Sequence, residues 1–160
     1  MRLVVPAVGR LKHGPERDLA ERYRERAAKS GRAIGISAVT VSEIDEGRGR
    51  RAHDRIAAEG AALRQAIPGH AAIIALDEHG ENLASEALAQ CIGRWRDEGR
   101  SAVALVIGGP DGRAPNLVAA ADLRLAFGRA TWPHQLMRIM IFEQLYRVIA
   151  ILSGHPYHRA

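Results

Sequence analysis

An α/β domain with a mainly parallel sheet and helices on both faces is the fold class this sequence predicts, and three observations predict it. Short apolar runs alternate with helix-periodic segments along the whole chain, the order that parallel βαβ units require. The runs at 70–76 and 101–107 are continuously apolar, as in strands covered on both faces. The second of them opens directly into Gly108-Gly109-Pro110-Asp111-Gly112, a glycine-dense loop at a strand's carboxyl end. At 160 residues and 47% hydrophobic, the chain suits one domain over 1–160 with its own core.

Residues 1–8 read as a buried strand that ends near Gly9. Pro15 after Gly14 marks a helix start, and Leu19, Tyr23 and Ala27 recur at four-residue spacing up to Gly31. A second strand is expected over 33–41, where Ile34, Ile36 and Ala38 alternate. Residues 42–51 form a charged loop in which Arg48, Arg50 and Arg51 either grip phosphates or are simply solvated. A helix over 52–66 turns Ile56, Leu63 and Ile67 inward, and Pro68-Gly69 stops it. The third strand, 70–76, leads into a loop at 77–82. A helix near 84–98 then carries Leu88, Ile92 and Trp95 on one side, with Cys91 as a core residue. The fourth strand is 101–107. A short helix at 116–121, a fifth strand at 123–127 and a loop at 128–133 follow.

The longest periodic helix spans 134–153 after the rigid Trp132-Pro133 pair, with apolar residues at 136, 137, 140, 141, 145, 148, 149 and 152. Gly154 is its left-handed stop. Arg138, Glu143, Gln144 and Arg147 lie inside it, so burial in protein is expected rather than in a membrane. Glu143 precedes Arg147 by four, the spacing of an intrahelical pair, and Arg138 is expected to pair within the helix or across a dimer. The apolar face is wider than one small core needs, which suggests a second copy against it. His155, Tyr157, His158 and Arg159 then crowd a segment where chains usually fray.

Composition narrows the function. There are 23 basic and 18 acidic residues, and the net charge of +5 permits a polyanionic partner such as RNA without requiring one. The single cysteine, Cys91, excludes an internal disulfide framework and fits a reducing cytoplasm. No metal is expected, because His155 and His158 share their segment with no carboxylate or thiol. A Gly-Lys-Ser/Thr phosphate loop, a G-x-G-x-x-G fingerprint and a G-x-S-x-G nucleophile turn are all missing from the sequence. Ligands of parallel sheets bind beyond the carboxyl ends of the strands, which selects the loops at 77–82, 108–113 and 128–133. Glycines at 108, 109 and 112 either let the backbone approach a ligand or make a tight turn.

The motifs Leu-Val-Ile-Gly-Gly-Pro-Asp-Gly at 105–112 and Trp-Pro-His-Gln-Leu-Met-Arg at 132–138 stand in order with two more. These are Glu-Gln-Leu-Tyr-Arg at 143–147 and His-Pro-Tyr-His-Arg at 155–159. Together with Val8-Gly9 and the Gly-Arg-Gly-Arg loop at 47–50, they resemble the small stand-alone SPOUT methyltransferases of bacteria. Among these, the likeness is to the family that methylates N3 of a pseudouridine in large-subunit ribosomal RNA. It covers the whole chain. Trp132 departs from the pattern, standing where Leu is commoner, and 77–82 is a variable loop.

The resemblance implies a C-terminal trefoil knot, a homodimer, S-adenosylmethionine as methyl donor and ribosomal RNA as substrate; the small domain and modest charge of +5 make an assembled ribosomal particle the expected form of that substrate. It implies a cofactor site at Leu76, Gly108, Gly109, Gly128, Arg129, Ala130, Thr131, Trp132 and Pro133. S-adenosylmethionine brings its own electrophile, so neither metal nor protein nucleophile is needed. The proton on N3 must leave, which calls for a base or a cation beside the developing anion. His158 is the expected base, Arg159 the cation, Tyr157 a stacking or holding group and His155 a weaker candidate; His134 is expected to be structural. Two other readings remain: a SPOUT-fold RNA-binding module without cofactor, and a methyltransferase acting on transfer RNA. Cofactor binding discriminates the first and mapping of the methylated RNA the second.

Overall fold

The computed structural model describes residues 1–158; the expectation for Arg159 falls outside them. Among the described residues the strands are β1 (Arg2–Val8), β2 (Ala38–Ile44), β3 (Ala72–Glu81), β4 (Ala102–Val106) and β5 (Leu123–Leu125). The helices are α1 (Pro15–Gly31), α2 (Ala52–Ala66), α3 (Ser85–Asp97), α4 (Pro115–Ala119) and α5 (His134–Ser153). The strands form one sheet in the order β2-β1-β4-β3-β5, and every ladder is parallel.

Alternate side chains of each strand leave the sheet on opposite faces. Leu3, Val5, Ala7, Val103 and Leu105 meet α1, α3 and α5 on one side. Val4, Val8, Ala104 and Val106 meet α2 and α4 on the other. This two-sided cover is why β1 and β4 are nearly all apolar. Helix α5 lies against both α1 and α3. Its Ile141, Leu145 and Ile149 are fully buried, each contributing about 1.5–3 kcal/mol of hydrophobic stabilisation. The wide apolar face is therefore largely satisfied within the chain, and Trp132 and Leu136, just before and just inside α5, are the exposed large hydrophobics. No helix among the described residues is long and apolar enough to cross a membrane.

Three strands differ from the sequence expectation. The alternating Ile34 and Ile36 are not strand residues. Arg32–Ile34 is a 3-10 turn closed by left-handed Gly35, and β2 starts later and runs to Ile44. Ile36 is fully buried as a plug beneath that turn. Strand β3 runs past Leu76 to Glu81 through an irregularity beside β5, so most of the expected 77–82 loop is strand. Gly80 permits it: a Cβ there would lie 2.6 Å from the Arg124 carbonyl oxygen. The expected fifth strand is shorter, and α4 covers 115–119. Helices α2 and α5 match their expected bounds, and Gly154 ends α5 at φ 68°.

Candidate active site

The loops after β4 and β5, at 108–113 and 128–133, and residues 76–78 within β3, where a loop was expected, enclose one cleft of about 230 Å³. Leu76, Gly108, Gly109, Gly128, Ala130, Thr131 and Trp132 line it; Arg129 and Pro133 share a loop with the last four but are not in its wall. The remaining walls include Asp77, Glu78, Ile107, Arg113, Leu125 and Phe127, and α5 adds His134 and Met137 from its first turn. His134, expected to be structural, thus stands on the cleft.

Side-chain bonds tie the loops together. Asp77, 7% exposed at the edge of the cleft, receives Arg113 Nη2 at 2.9 Å and the His79 N–H at 3.0 Å on Oδ1. Its Oδ2 receives Arg124 Nη2 at 2.8 Å and Nε at 3.0 Å. Burial pushes this carboxyl up, but the His79 bond and the two guanidinium groups outweigh it, leaving it below the ordinary carboxylate value. Gly128 N–H donates to Asn82 Oδ1 at 2.7 Å, and Trp132 Nε1 donates to the Phe127 carbonyl at 2.9 Å. The cleft is held from both ends before any ligand arrives, which limits the ordering cost of binding.

Packing within the chain is a further reason for the glycines at 108 and 109, which also line the cleft. A Cβ on Gly109 would strike the Glu59 carboxylate, with Cδ at 2.9 Å and Oε1 at 3.0 Å; one on Gly108 would lie 2.5 Å from Arg113 Cγ. The first meets a buried side chain, the second one that itself lines the cleft. Glu59 is 3% exposed and its Oε1 accepts the Gly47 N–H at 2.8 Å, while Oε2 has no partner among the described residues. One turn earlier on α2, Arg55 grips Asp111 through Nε at 2.6 Å and Nη2 at 2.8 Å, and its Nη1 donates to the Gly49 carbonyl at 2.9 Å. Helix α2 thereby splints the 45–51 arginine loop to the glycine loop. Arg48, Arg50 and Arg51 face solvent.

The tail folds back along α5. Tyr157 packs on Tyr146 with ring centroids 4.5 Å apart, under the guanidinium groups of Arg26 and Arg147. Its hydroxyl donates to Glu143 Oε1 at 3.0 Å, beside the expected Arg147–Glu143 pair. Burial, then bonding to Tyr23 and Glu143, pushes the phenol well up, so Tyr157 is a neutral donor and not a base. His155 Nδ1 accepts the Tyr157 N–H at 3.1 Å. His158 Nε2 lies 2.8 Å from Glu86 Oε1 at the start of α3. Within this chain none of 155–158 lines the cleft: Glu143 is six residues beyond Met137 on α5, about 9 Å by helical rise.

Arg138 pairs outside its own helix. It is 2% exposed, donates to Glu43 Oε1 on β2 at 2.5 Å and to the Gly9 carbonyl at 2.8 Å, and ties α5 to the ends of β1 and β2. No group of three or more His, Cys, Asp or Glu gathers as a metal site among the described residues. Sequence reasoning passed over Asp77, Arg113, Glu59 and Glu78. A carboxylate directly after a buried strand was the available signal for Asp77; nothing local announces Glu59.

The model of the family described as "Predicted SPOUT methyltransferase" matches residues 1–158. A Bradyrhizobium protein (strain BTAi1) named ribosomal RNA large subunit methyltransferase H is 56% identical over 160 residues, covering all of both chains. Proteins of the same name are similar in Methylobacterium nodulans, at 55% over 99% of this chain and 98% of that one, and in Rhodopseudomonas palustris, at 53% over all of both. A solved SpoU methyltransferase, AviRb from Streptomyces viridochromogenes, aligns over 92% of this chain and 59% of that one at 12% identity and TM-score 0.40, too loose a likeness to transfer any residue. With a family match over nearly the whole length and full-length relatives above half identity, this chain belongs to the SPOUT methyltransferase family.

Proposed function

We propose that the chain transfers the methyl group of S-adenosylmethionine to N3 of a pseudouridine in large-subunit ribosomal RNA. The observation that carries this is the convergence of the 108–113 and 128–133 loops and residues 76–78 of β3 on one pre-tied cleft, in a chain more than half identical over its full length to proteins named for ribosomal RNA methylation. The cleft fits the donor. Leu125, Phe127, Trp132 and Met137 offer apolar wall for an adenine ring, and the side-chain-free 108–109 backbone offers hydrogen bonds to its edge. Asp77 is fully engaged by arginines, so Glu78 is the carboxylate left to receive ribose hydroxyls or a cationic group. When bound, S-adenosylmethionine supplies the electrophilic methyl, and positioning is the protein's main task.

The active form is a homodimer in the cytoplasm, its C-terminal part threaded as a trefoil knot, and its natural substrate is an assembled ribosomal particle. At about 230 Å³ the cleft falls short of the roughly 300 Å³ usual for small-molecule sites, which supports completion by a second chain. In that dimer the tail serves the partner's cleft: His158, set against Glu86 here, takes the N3 proton, Arg159 steadies the base anion and Tyr157 holds the segment in place. His155 stays at the helix end. A single domain with a charge of +5 makes few phosphate contacts, and a folded particle adds the rest of the recognition surface. Calorimetry with S-adenosylmethionine tests the reading: one site per chain is expected, and no heat of binding at millimolar ligand would reject it.

A further inference from the structure

The loop after β2 is held more firmly than a solvated loop needs. Its Gly47 N–H donates to the buried Glu59 carboxylate at 2.8 Å, and the Gly49 and Arg50 carbonyls receive Arg55 Nη1 at 2.9 and 3.2 Å. Both glycines lie directly on α2: a Cβ on Gly47 would stand 2.7 Å from the Arg55 Cα, and one on Gly49 2.9 Å from the Asp54 Cβ. Arg48, Arg50 and Arg51 are exposed on this fixed backbone. Two cations beside them are neutralised, Arg10 by Asp45 at 2.7 Å and Arg55 by Asp111 at 2.6 Å, whereas these three have no ion pair among the described residues. Asp54 lies against His53 at 2.8 Å, and Glu46 is the remaining carboxylate of the loop. Like charges crowded into so short a segment repel one another in the ligand-free protein, and a polyanion relieves that repulsion.

We infer that Arg48, Arg50 and Arg51 form a docking surface for the phosphate backbone of the RNA that carries the target nucleotide. Every ladder is parallel, so the loop after β2 emerges at the same end of the sheet as the loops around the cofactor cleft. The adjoining Arg10 and Glu46 share a groove with Pro110 and His134, which also line that cleft. Arg55 and Glu59, one turn apart on α2, brace the arginine loop against Asp111 and Gly109 of the glycine loop. RNA held on the arginines therefore lies beside the methyl donor. The planar guanidinium fork suits phosphate oxygens. Phosphate contacts fix position without reading sequence, so this surface supplies affinity and register rather than choice of base. The inference rests on the RNA methyltransferase reading above and names the face on which its substrate docks.

The test compares the combined variant Arg48→Gln, Arg50→Gln, Arg51→Gln with a control of equal charge loss, Lys29→Gln, Arg32→Gln, Arg64→Gln, whose residues are exposed at the other end of the sheet. Filter binding of large-subunit RNA stripped of protein, over a salt series, reads phosphate contacts without any ribosomal protein. The slope of log affinity against log salt is expected to shrink by about two in the arginine variant, roughly 0.7 per lost contact, and to change little in the control. On large-subunit particles that lack the modification, the acceptor KM should rise roughly tenfold or more, with turnover at saturating acceptor retained. Calorimetry with S-adenosylmethionine should give parental affinity in both variants, which also reports an intact fold. A parental salt slope or acceptor KM in the arginine variant, or an equal change in the control, overturns the inference and leaves the methyltransferase reading standing. Failure of the unaltered chain to bind S-adenosylmethionine removes that reading, while the salt series still decides the docking surface.

Discussion

Replacing Gly109 by Ala separates two reasons for a glycine at the cofactor cleft. Gly109 does not have a positive φ, so the backbone itself accepts alanine, and at an unstrained site the change would stabilise by about 0.4–1 kcal/mol. The structure instead places the new methyl against the buried Glu59 carboxylate, with Cδ at 2.9 Å. Overpacking of this kind costs about 1–3 kcal/mol. If Glu59 swings aside, the Gly47 N–H loses its acceptor, which adds about 1 kcal/mol. A net loss of about 2–4 kcal/mol follows from these terms. Urea unfolding of the parent, Gly109→Ala, Glu59→Ala and the double variant measures it. The double variant should recover at least about 1 kcal/mol relative to the sum of the singles, because the second change removes the obstacle. Unchanged or raised stability in Gly109→Ala, or strict additivity, would refute the reasoning and return the glycine to ligand access alone.

Acid unfolding should show the Asp77 anchor. Its carboxyl is held below its unfolded value, so it contributes stability above about pH 4 that disappears as pH falls through the lower folded value; Asp77→Asn should flatten that limb of the pH–stability curve. Deleting residues 157–160 removes the packing of Tyr157 on Tyr146 and its bond to Glu143, and should cost about 1–2 kcal/mol in thermal unfolding while removing most methyl transfer. Mixing that deletion with a chain disabled in the cofactor cleft should restore activity if the tail serves the partner. Ile141 is wholly inside the core, so the dimer is better probed at exposed Leu136: Leu136→Glu should yield a folded monomer by sedimentation, and an undisturbed dimer would move the interface elsewhere.

Local pattern was sufficient for much of the fold. Helices α2 and α5 were legible to the residue because Pro68-Gly69 and Gly154 punctuate long periodic faces. β1, β4 and the loops after β4 and β5 followed from apolar runs covered on both faces. Where the reading slipped, a contact distant in sequence decided. Ile34 and Ile36 alternate like a strand, but left-handed Gly35 turns them, and edge strand β2 is too amphipathic to declare itself. β3 continues past Leu76 because Gly80 admits the Arg124 backbone. In the site, the loops could be named from position, whereas the partners within them could not. Asp77 meets arginines 36 and 47 residues away, Arg138 meets Glu43 across 95 residues, and Glu59 backs Gly109 from another element. The tail's chemistry was plain in its composition; its folding back onto Glu143 and Glu86 was not.

Methyl transfer to this substrate is measured by incubating the chain with methyl-labelled S-adenosylmethionine and large-subunit particles from cells lacking this protein, then mapping the label by mass spectrometry of RNA fragments. One methyl group is expected, on N3 of a single pseudouridine of the large-subunit RNA, with far slower transfer to the same RNA stripped of protein. Label that reaches only transfer RNA, or no label at all with S-adenosylmethionine bound, would contradict this expectation.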